Sequence, residues 1–469
     1  MTGFWLVVAM AGECCLPSFL NILVFLLRLL RNFCAFCVRP RILAPAFPPQ
    51  TRDNYAMPTH HHYTNQHALA AHIRQAIIQA GGWLAFDQFM QLALYTPHLG
   101  YYAHGSAKLG HLPRDGSDFV TAPEISPLFG QTLAAQVQQA LHHTQTDTIW
   151  EFGAGSGALA EQILDTLATQ GTAPRQYAIV DISGSLRQRQ QQRLARFGDL
   201  VQWHTQLPPA MQGVIIGNEV LDAMPVKLLV RTHNIWHERG VTVADLPSAP
   251  TAPTAPTAPA APTAPPAAPH TSAPSTPHAS SPANTPASHH FAFSWHDQPT
   301  TLRPPYEVSG THHYLTEIHP QAHAFIRTLG ERLQRGAAFF IDYGFGEGEY
   351  YHPQRHMGTL MCHQAHRADP DPLHAIGDKD ITAHINFTDI AVAAQNAGLD
   401  LLGYTTQGWF LLNCGIAAHM QQATLPQRAL AQRLLLEHEM GELFKVIGLC
   451  KGAPWSACGF TQGSRLRSL

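Results

Sequence analysis

The stretch Ile149–Leu159, IWEFGAGSGAL, constrains this chain more than any other. An apolar run meets three glycines at alternate positions, Gly153, Gly155 and Gly157, and a helical pattern follows. Glycine at such spacing supplies backbone angles closed to other residues and a bare surface that a ligand can approach. The chain must therefore contain a β-strand that turns sharply into a helix N-terminus, the first unit of a Rossmann-like sheet.

The residues around it continue the pattern. Strands are expected at 148–152, 176–182, 200–204, 213–218 and 337–344, with helices at 157–169, 184–196 and around 320–335. Short apolar strands separated by helices predict a doubly wound, mostly parallel α/β sheet covered on both faces. Two cofactor classes fit the glycine loop. Gly153, Gly155 and Ala158 satisfy the dinucleotide fingerprint. Glu151 followed by Gly153, Gly155 and Gly157 satisfies the acidic residue plus G-x-G-x-G pattern used to bind S-adenosyl-L-methionine (SAM). The loop alone does not choose between them.

Upstream, 67–95 reads as helical, with Ile73, Ile77, Ile78, Phe86, Phe89, Met90 and Leu94 at core-forming spacings. Residues 1–56 differ from all that follows. They are apolar from Phe4 to Leu27, then carry Arg28, Arg31, Arg39 and Arg41. Such a span is long enough for a bilayer anchor with the remainder in the cytoplasm. An organellar targeting segment or an upstream extension of the reading frame also fits, and Met57, just ahead of the first well-patterned helix, favours the extension. Residues 246–290 collapse to Ala, Pro, Thr and Ser, a composition that cannot bury enough apolar surface to offset its ordering entropy. A disordered insertion in a surface connection is expected there, because the flanks IWHERGVTV and HFAFSWH both read as strands.

Composition excludes some partners. With 469 residues, a net charge of −3 and only 13% charged residues, the chain has no basic field for nucleic acid. The eight cysteines lack disulfide-framework spacing and read as reduced, intracellular thiols. The lone CxxC, Cys34 and Cys37, has no second pair to complete a metal site. The thirty histidines are spread through every segment, so His60–His62 does not stand out as a metal tract.

In a doubly wound sheet the ligand lies across the carboxyl ends of the strands. That rule selects Asp181, 24 residues past Gly157, to accept hydrogen bonds from ribose hydroxyls. Capping the next helix is its competing role, which Ser183 could fill instead. The fourth strand ends in GNEVLDAMPV, so Asn218, Glu219 and Asp222 emerge beside the reactive end of a bound cofactor, unless they form a solvated loop with Asp222 capping a turn before Pro225. Asp342-Tyr343-Gly344 ends the fifth strand at the same edge.

From Leu69 to Lys451 the chain resembles the MidA-like SAM-dependent methyltransferases, a family that includes a mitochondrial complex I assembly factor methylating a protein arginine. The resemblance rests on LGYY (99–102), SDFVTAPEISPLFG (117–130), EFGAGSGALA, NEVLDAMPV, IDYG, GDKDITAHINF (377–387), GYTTQGWFLLNCGI (403–416) and EMGELFKVIGL (439–449), in that order. DGSDF departs from the more usual Gly-Asp-Phe, and Asn386 stands where an acidic residue is frequent.

The resemblance implies a SAM methyltransferase core at 146–345, a helical N-terminal region at 57–145, a substrate-side region at 346–451 and a tail at 452–469. It implies SAM as cofactor, held by Glu151, Gly153, Gly155, Gly157 and Asp181 with Thr121, Pro123 and Glu124 of the TAPEIS loop. It implies a protein substrate, a subunit of NADH:quinone oxidoreductase (complex I). Glu219 and Asp222, beside Asn218, are the expected acceptor-side carboxylates, with Glu124 a further candidate. Other acceptors, a non-catalytic assembly factor and an NAD-linked oxidoreductase are the alternatives; the last lacks a recognisable hydride-transfer constellation. Bacterial cytoplasm is the expected location, and a mitochondrial or inner-membrane one if 1–56 is a targeting or anchor segment.

Overall fold

The computed structural model describes residues 60–103, 120–181, 183–245 and 291–469. The readings of 1–56, of Cys34 and Cys37, and of the Ala/Pro/Thr-rich 246–290 lie outside these residues.

The central sheet is built from β1 (Thr148–Phe152), β2 (Gln176–Val180), β3 (Val201–His204), β4 (Met211–Asn218), β5 (Leu333–Phe345), β6 (Asp400–Thr406) and β7 (Phe444–Lys451), in the spatial order β6-β7-β5-β4-β1-β2-β3. β3, β2, β1, β4 and β5 run parallel. β7 enters antiparallel between β5 and β6. A short strand, Ile385–Asn386, adds in parallel to the end of β5. Side chains alternate across the sheet as the two-residue period requires. Ile149, Ile216 and Phe339 pack under the helices Leu128–Thr144 and Ala158–Thr169. Their neighbours Trp150, Ile215 and Phe340 pack under Pro320–Arg332 and Phe387–Asn396. Burial on both faces explains why these strands read as continuous apolar runs. The strand order reverses between β1 and β4, which puts the ligand-binding crevice at the glycine loop.

Between β4 and β5 the chain builds a second, antiparallel sheet that the sequence reading did not anticipate. Ile235–Asp245 lies at its centre, paired with Lys227–Thr232, Phe291–Pro299 and Leu84–Ala85, and Tyr314–Ile318 lies outside Lys227–Thr232. Asp245 pairs with Phe291, so the 246–290 segment leaves and re-enters at one point on a hairpin. Loop-closure entropy grows only slowly with length, so a long insertion there is tolerated.

Helices His60–Gln79 and Phe86–Tyr95 pack on this second sheet. The helical reading of 67–95 is corrected here: Gly81 and Gly82, at φ 84° and 95°, turn the chain so that Leu84–Ala85 can join the sheet. Ile73 and Ile77 are buried as expected, whereas Ile78 is 48% exposed. The helix expected at 184–196 ends at Leu194 in a 3₁₀ turn, and that expected around 320–335 ends at Arg332, where β5 begins. A third sheet of Met361–Gln364, Arg367–Asp369 and Asp380–Thr382 completes the wall above the crevice.

Candidate active site

The carboxyl ends of β1, β2, β4 and β5 open into one cleft of about 1230 Å³. This exceeds the roughly 300–1,000 Å³ of a typical small-ligand site, leaving space for a cofactor and part of a second substrate.

The glycine loop forms its floor. Gly153, Gly155 and Gly157 sit at φ 60°, 54° and 83°, left-handed values that a side chain would strain. Gly157 is also the N-cap of Ala158–Thr169, and Ala158 and Leu159 of that helix's first turn line the cleft. Glu151 is 2% exposed, lines the cleft and accepts the Tyr177 hydroxyl at 2.8 Å. Burial pushes its carboxyl up to about 8.

Asp181 follows β2. Its Oδ1 accepts the Ser183 N–H at 2.8 Å and its Oδ2 accepts the Gln190 amide at 2.8 Å. The capping role falls to Ser183, whose hydroxyl accepts the Leu186 N–H. Gln190, fully buried, also donates to the Gly155 carbonyl at 3.0 Å and accepts the Trp203 indole N–H at 3.1 Å. It therefore locks Asp181 to the glycine loop. Nothing in the sequence marks it: a glutamine inside GSLRQRQQQRL is one of four.

Thr121, Pro123 and Glu124 line the cleft from the other side. The Pro123 carbonyl accepts the Gln162 amide at 2.8 Å, tying this loop to Ala158–Thr169. Glu124 accepts the Ser156 hydroxyl and pairs with Arg193 at 3.1 Å. It clasps the glycine loop, and Arg193 draws on the charge that an incoming cation would need.

β4 ends in Asn218, and Glu219 follows at φ 54°. A non-glycine residue in that region costs about 1–3 kcal/mol and persists where the surroundings enforce it. The enforcement is visible. The Glu219 N–H donates to the Ile341 carbonyl at 2.9 Å, and Asp342 Oδ2 accepts the N–H groups of Leu221 at 2.9 Å and Asp222 at 3.2 Å. Asp342, 1% exposed, is thus the staple of the 218–222 loop. Asn218 donates its amide to Glu219 Oε1 at 3.0 Å, and the Ala122 N–H donates to Glu219 as well. Burial, reinforced by Asp222, raises the Glu219 carboxyl to about 8. Asp222 is 5% exposed and accepts the Tyr343 hydroxyl on Oδ2, while its Oδ1 is buried with no hydrogen-bond partner. Burial raises its carboxyl too. Such a group needs a ligand or a proton to offset its desolvation.

All eleven residues singled out from the sequence line or abut this cleft except Gly157, which is set back as the helix cap. Tyr95, Tyr102 and Asp380 also line it; sequence reasoning missed Tyr95 altogether and quoted the motifs LGYY and GDKDITAHINF without assigning their Tyr102 or Asp380 to the site.

A doubly wound sheet with this loop, an acid after β2 and carboxylates after β4 defines the Rossmann-like class of SAM-dependent methyltransferases. The residues present fit SAM: a bare left-handed glycine loop, a braced acid for the ribose and an acidic site for a sulfonium. The family described as S-adenosyl-L-methionine-dependent methyltransferase matches residues 132–405, and the chain belongs to it. It is 41% identical to a protein of Burkholderia thailandensis solved bound to S-adenosyl-homocysteine, with a TM-score of 0.76 over 88% of this chain and 99% of that one. A mitochondrial protein of Drosophila melanogaster named protein arginine methyltransferase NDUFAF7 homolog is 25% identical over 426 residues, 82% of this chain and 85% of its own length. The Mus musculus protein named protein arginine methyltransferase NDUFAF7, also mitochondrial, is 25% identical over 412 residues, 79% and 82% of the two chains. The protein is a SAM-dependent methyltransferase.

Proposed function

We propose that this enzyme methylates a guanidinium nitrogen of a protein arginine, in a subunit of complex I during its assembly. The observation that carries the reading is the acidity of the cleft: six carboxyls line it, of which Glu124 is paired with Arg193 and burial raises Glu151, Glu219 and Asp222, against two guanidinium groups, Arg355 and Arg433. Both cations already pair elsewhere, with Glu349 at 3.3 Å and with Glu439 at 3.4 Å. Two cationic ligands, a sulfonium donor and a guanidinium acceptor, answer that imbalance. The relatives named as protein arginine methyltransferases support the same acceptor.

When bound, SAM supplies an electrophilic methyl group: a C–N bond forms, the S–C bond breaks with its electron pair left on sulfur, and one guanidinium proton departs. The chain's own work is placement. Gly153 and Gly155 present bare backbone, Gly157 opens the helix N-terminus, and Glu151 and Asp181 receive polar groups of the donor. Thr121, Pro123 and Glu124 close over it. Glu219 and Asp222 orient the guanidinium through paired hydrogen bonds and favour charge on the nitrogens that do not attack. Asn218 holds Glu219 at the required angle. The cation's arrival also stabilises the ionised form of both acids against the burial that raises them. Water or an ionised carboxyl takes the departing proton as transfer proceeds, since the dication formed on nitrogen is far more acidic than a free guanidinium.

In this reading 146–345 is the catalytic core, interrupted by the 246–290 insertion, 57–145 is the helical region that carries the cofactor-pocket loop, 346–451 is the substrate side, and 452–469 is a tail. The higher identity to a bacterial protein supports action in the cytoplasm. The relatives named mitochondrial support the complex I target and leave a mitochondrial site as the alternative. Among the described residues no helix is long and apolar enough to cross a membrane.

Peptide mass spectrometry of complex I from cells with and without the protein tests the reading. A methylarginine present only with the protein is expected. An identical modification pattern in both would remove the arginine acceptor.

A further inference from the structure

GDKDITAHINF is the most polar of the shared motifs, and the mechanism above does not use it. Its Asp380 is 2% exposed, lines the cleft and opens the strand Asp380–Thr382. Three residues on, the Ala383 N–H donates to the Asp222 carbonyl at 3.1 Å, which stitches this segment to the 218–222 loop. The Tyr102 hydroxyl donates to Asp380 Oδ1 at 2.8 Å. The Tyr102 ring stacks on Tyr95 with centroids 5.5 Å apart and planes at 23°, and the Tyr95 hydroxyl donates to the Ala223 carbonyl at 2.7 Å. Burial and the charge of Asp380 raise both phenols, so they stay neutral donors.

We propose that Asp380 is a further acceptor-binding carboxylate which, with the stacked rings of Tyr95 and Tyr102, receives the acceptor's guanidinium alongside Glu219 and Asp222. This rests on the arginine reading and adds the receptor's second half. A guanidinium is planar and weakly hydrated, stacks on aromatic faces and offers a fork of N–H donors, so a carboxylate beside a phenol pair matches it better than it matches a compact ammonium. Asp222 Oδ1, buried and without a hydrogen-bond partner, is the neighbouring acceptor. Holding the loop is already the work of other contacts. Lys379 pairs with Asp369 and donates to the Asp371 carbonyl at 3.1 Å, and Gln66 binds Asp378.

The test uses the full chain saturated with S-adenosylhomocysteine and titrated with N-acetyl-arginine amide, with the neutral N-acetyl-citrulline amide as control. Asp380→Asn is expected to weaken the arginine probe by at least about ten-fold, the worth of one charge-assisted hydrogen bond. S-adenosylhomocysteine affinity should change less than about two-fold, and the citrulline compound should not discriminate between wild type and variant. Tyr102→Phe, which removes only a hydroxyl, is expected to weaken the arginine probe by about three-fold. Unchanged arginine binding in Asp380→Asn, or in Tyr102→Phe should the first variant fail to fold, overturns the inference and leaves the arginine reading standing. Equal wild-type affinity for arginine and citrulline probes would remove the arginine reading itself, and this inference with it.

Discussion

The two halves of the cleft are made differently. The donor half is largely one contiguous stretch: β1, three glycines and the start of a helix, with Asp181 one strand away. Its surface is mostly backbone. The proposed acceptor half converges from Tyr95, Tyr102, Asp222, Asp342, Tyr343 and Asp380, drawn from four separate parts of the chain and joined by side-chain hydrogen bonds. A donor of fixed shape can be met by a local fold, whereas an acceptor on another protein needs a surface assembled by tertiary structure. Mutations in the two halves should therefore separate cleanly into donor binding and turnover.

The largest effect expected is on the acceptor side. Glu219→Gln should lower turnover by roughly 10²–10³-fold, the cost of removing one electrostatic stabiliser, with S-adenosylhomocysteine affinity within about two-fold of wild type. Single-turnover kinetics beside calorimetry would separate the two, and an equal loss in both would erase the division. Gly155→Val is the converse. At φ 54° a β-branched residue is strained and its methyls project over the donor floor, so affinity should fall about 100-fold. Unaltered affinity would mean that the donor lies elsewhere. Gln190→Ala sharpens the comparison further, because it removes a side chain that braces the donor half without belonging to the motif. Leaving buried partners unsatisfied costs about 1–3 kcal/mol, so affinity should weaken about ten-fold, read by the same titration.

The smallest effect concerns pH. Glu151 ionises at about 8 in the folded protein against 4.5 ordinarily. The fold therefore favours its protonated form, and the stability this contributes is fully present below about 4.5 and lost as pH rises through 8. Ligand-free Glu151→Gln should melt near wild type at pH 5 and above it at pH 9. Parallel melting curves across that range would show that the Glu151 carboxyl is ionised throughout.

Legibility in the sequence follows the same division. The five parallel strands, the glycine loop, Asp181 and the carboxylates after β4 announce themselves, because each is fixed by local pattern: apolar runs of strand length, glycines at left-handed positions, acids at strand ends. Of the antiparallel sheet, only the two strands flanking the insertion, IWHERGVTV and HFAFSWH, read as strands; that they join others in a sheet carries no such mark. Its central strand, Ile235–Asp245, pairs with Phe291–Pro299 across an insertion and with Leu84–Ala85 from far upstream, and pairing between remote segments leaves no local periodicity. Gln190, Tyr102 and Asp380 were hidden for the same reason, since their roles depend on what the fold brings beside them. Ile78 shows the limit of periodicity itself: adjacent to Ile77 on a helix, it points away from the face that Ile73 and Ile77 bury.

A crystal structure of the full chain with S-adenosylhomocysteine and an arginine-containing acceptor peptide would bear on both halves at once. The expected result has ribose hydroxyls on Asp181, sulfur over the glycine loop, and the acceptor guanidinium between that sulfur and the Glu219 and Asp222 carboxyls. A peptide seated with its arginine away from those two acids, or a different nucleophile facing the sulfur, would contradict it.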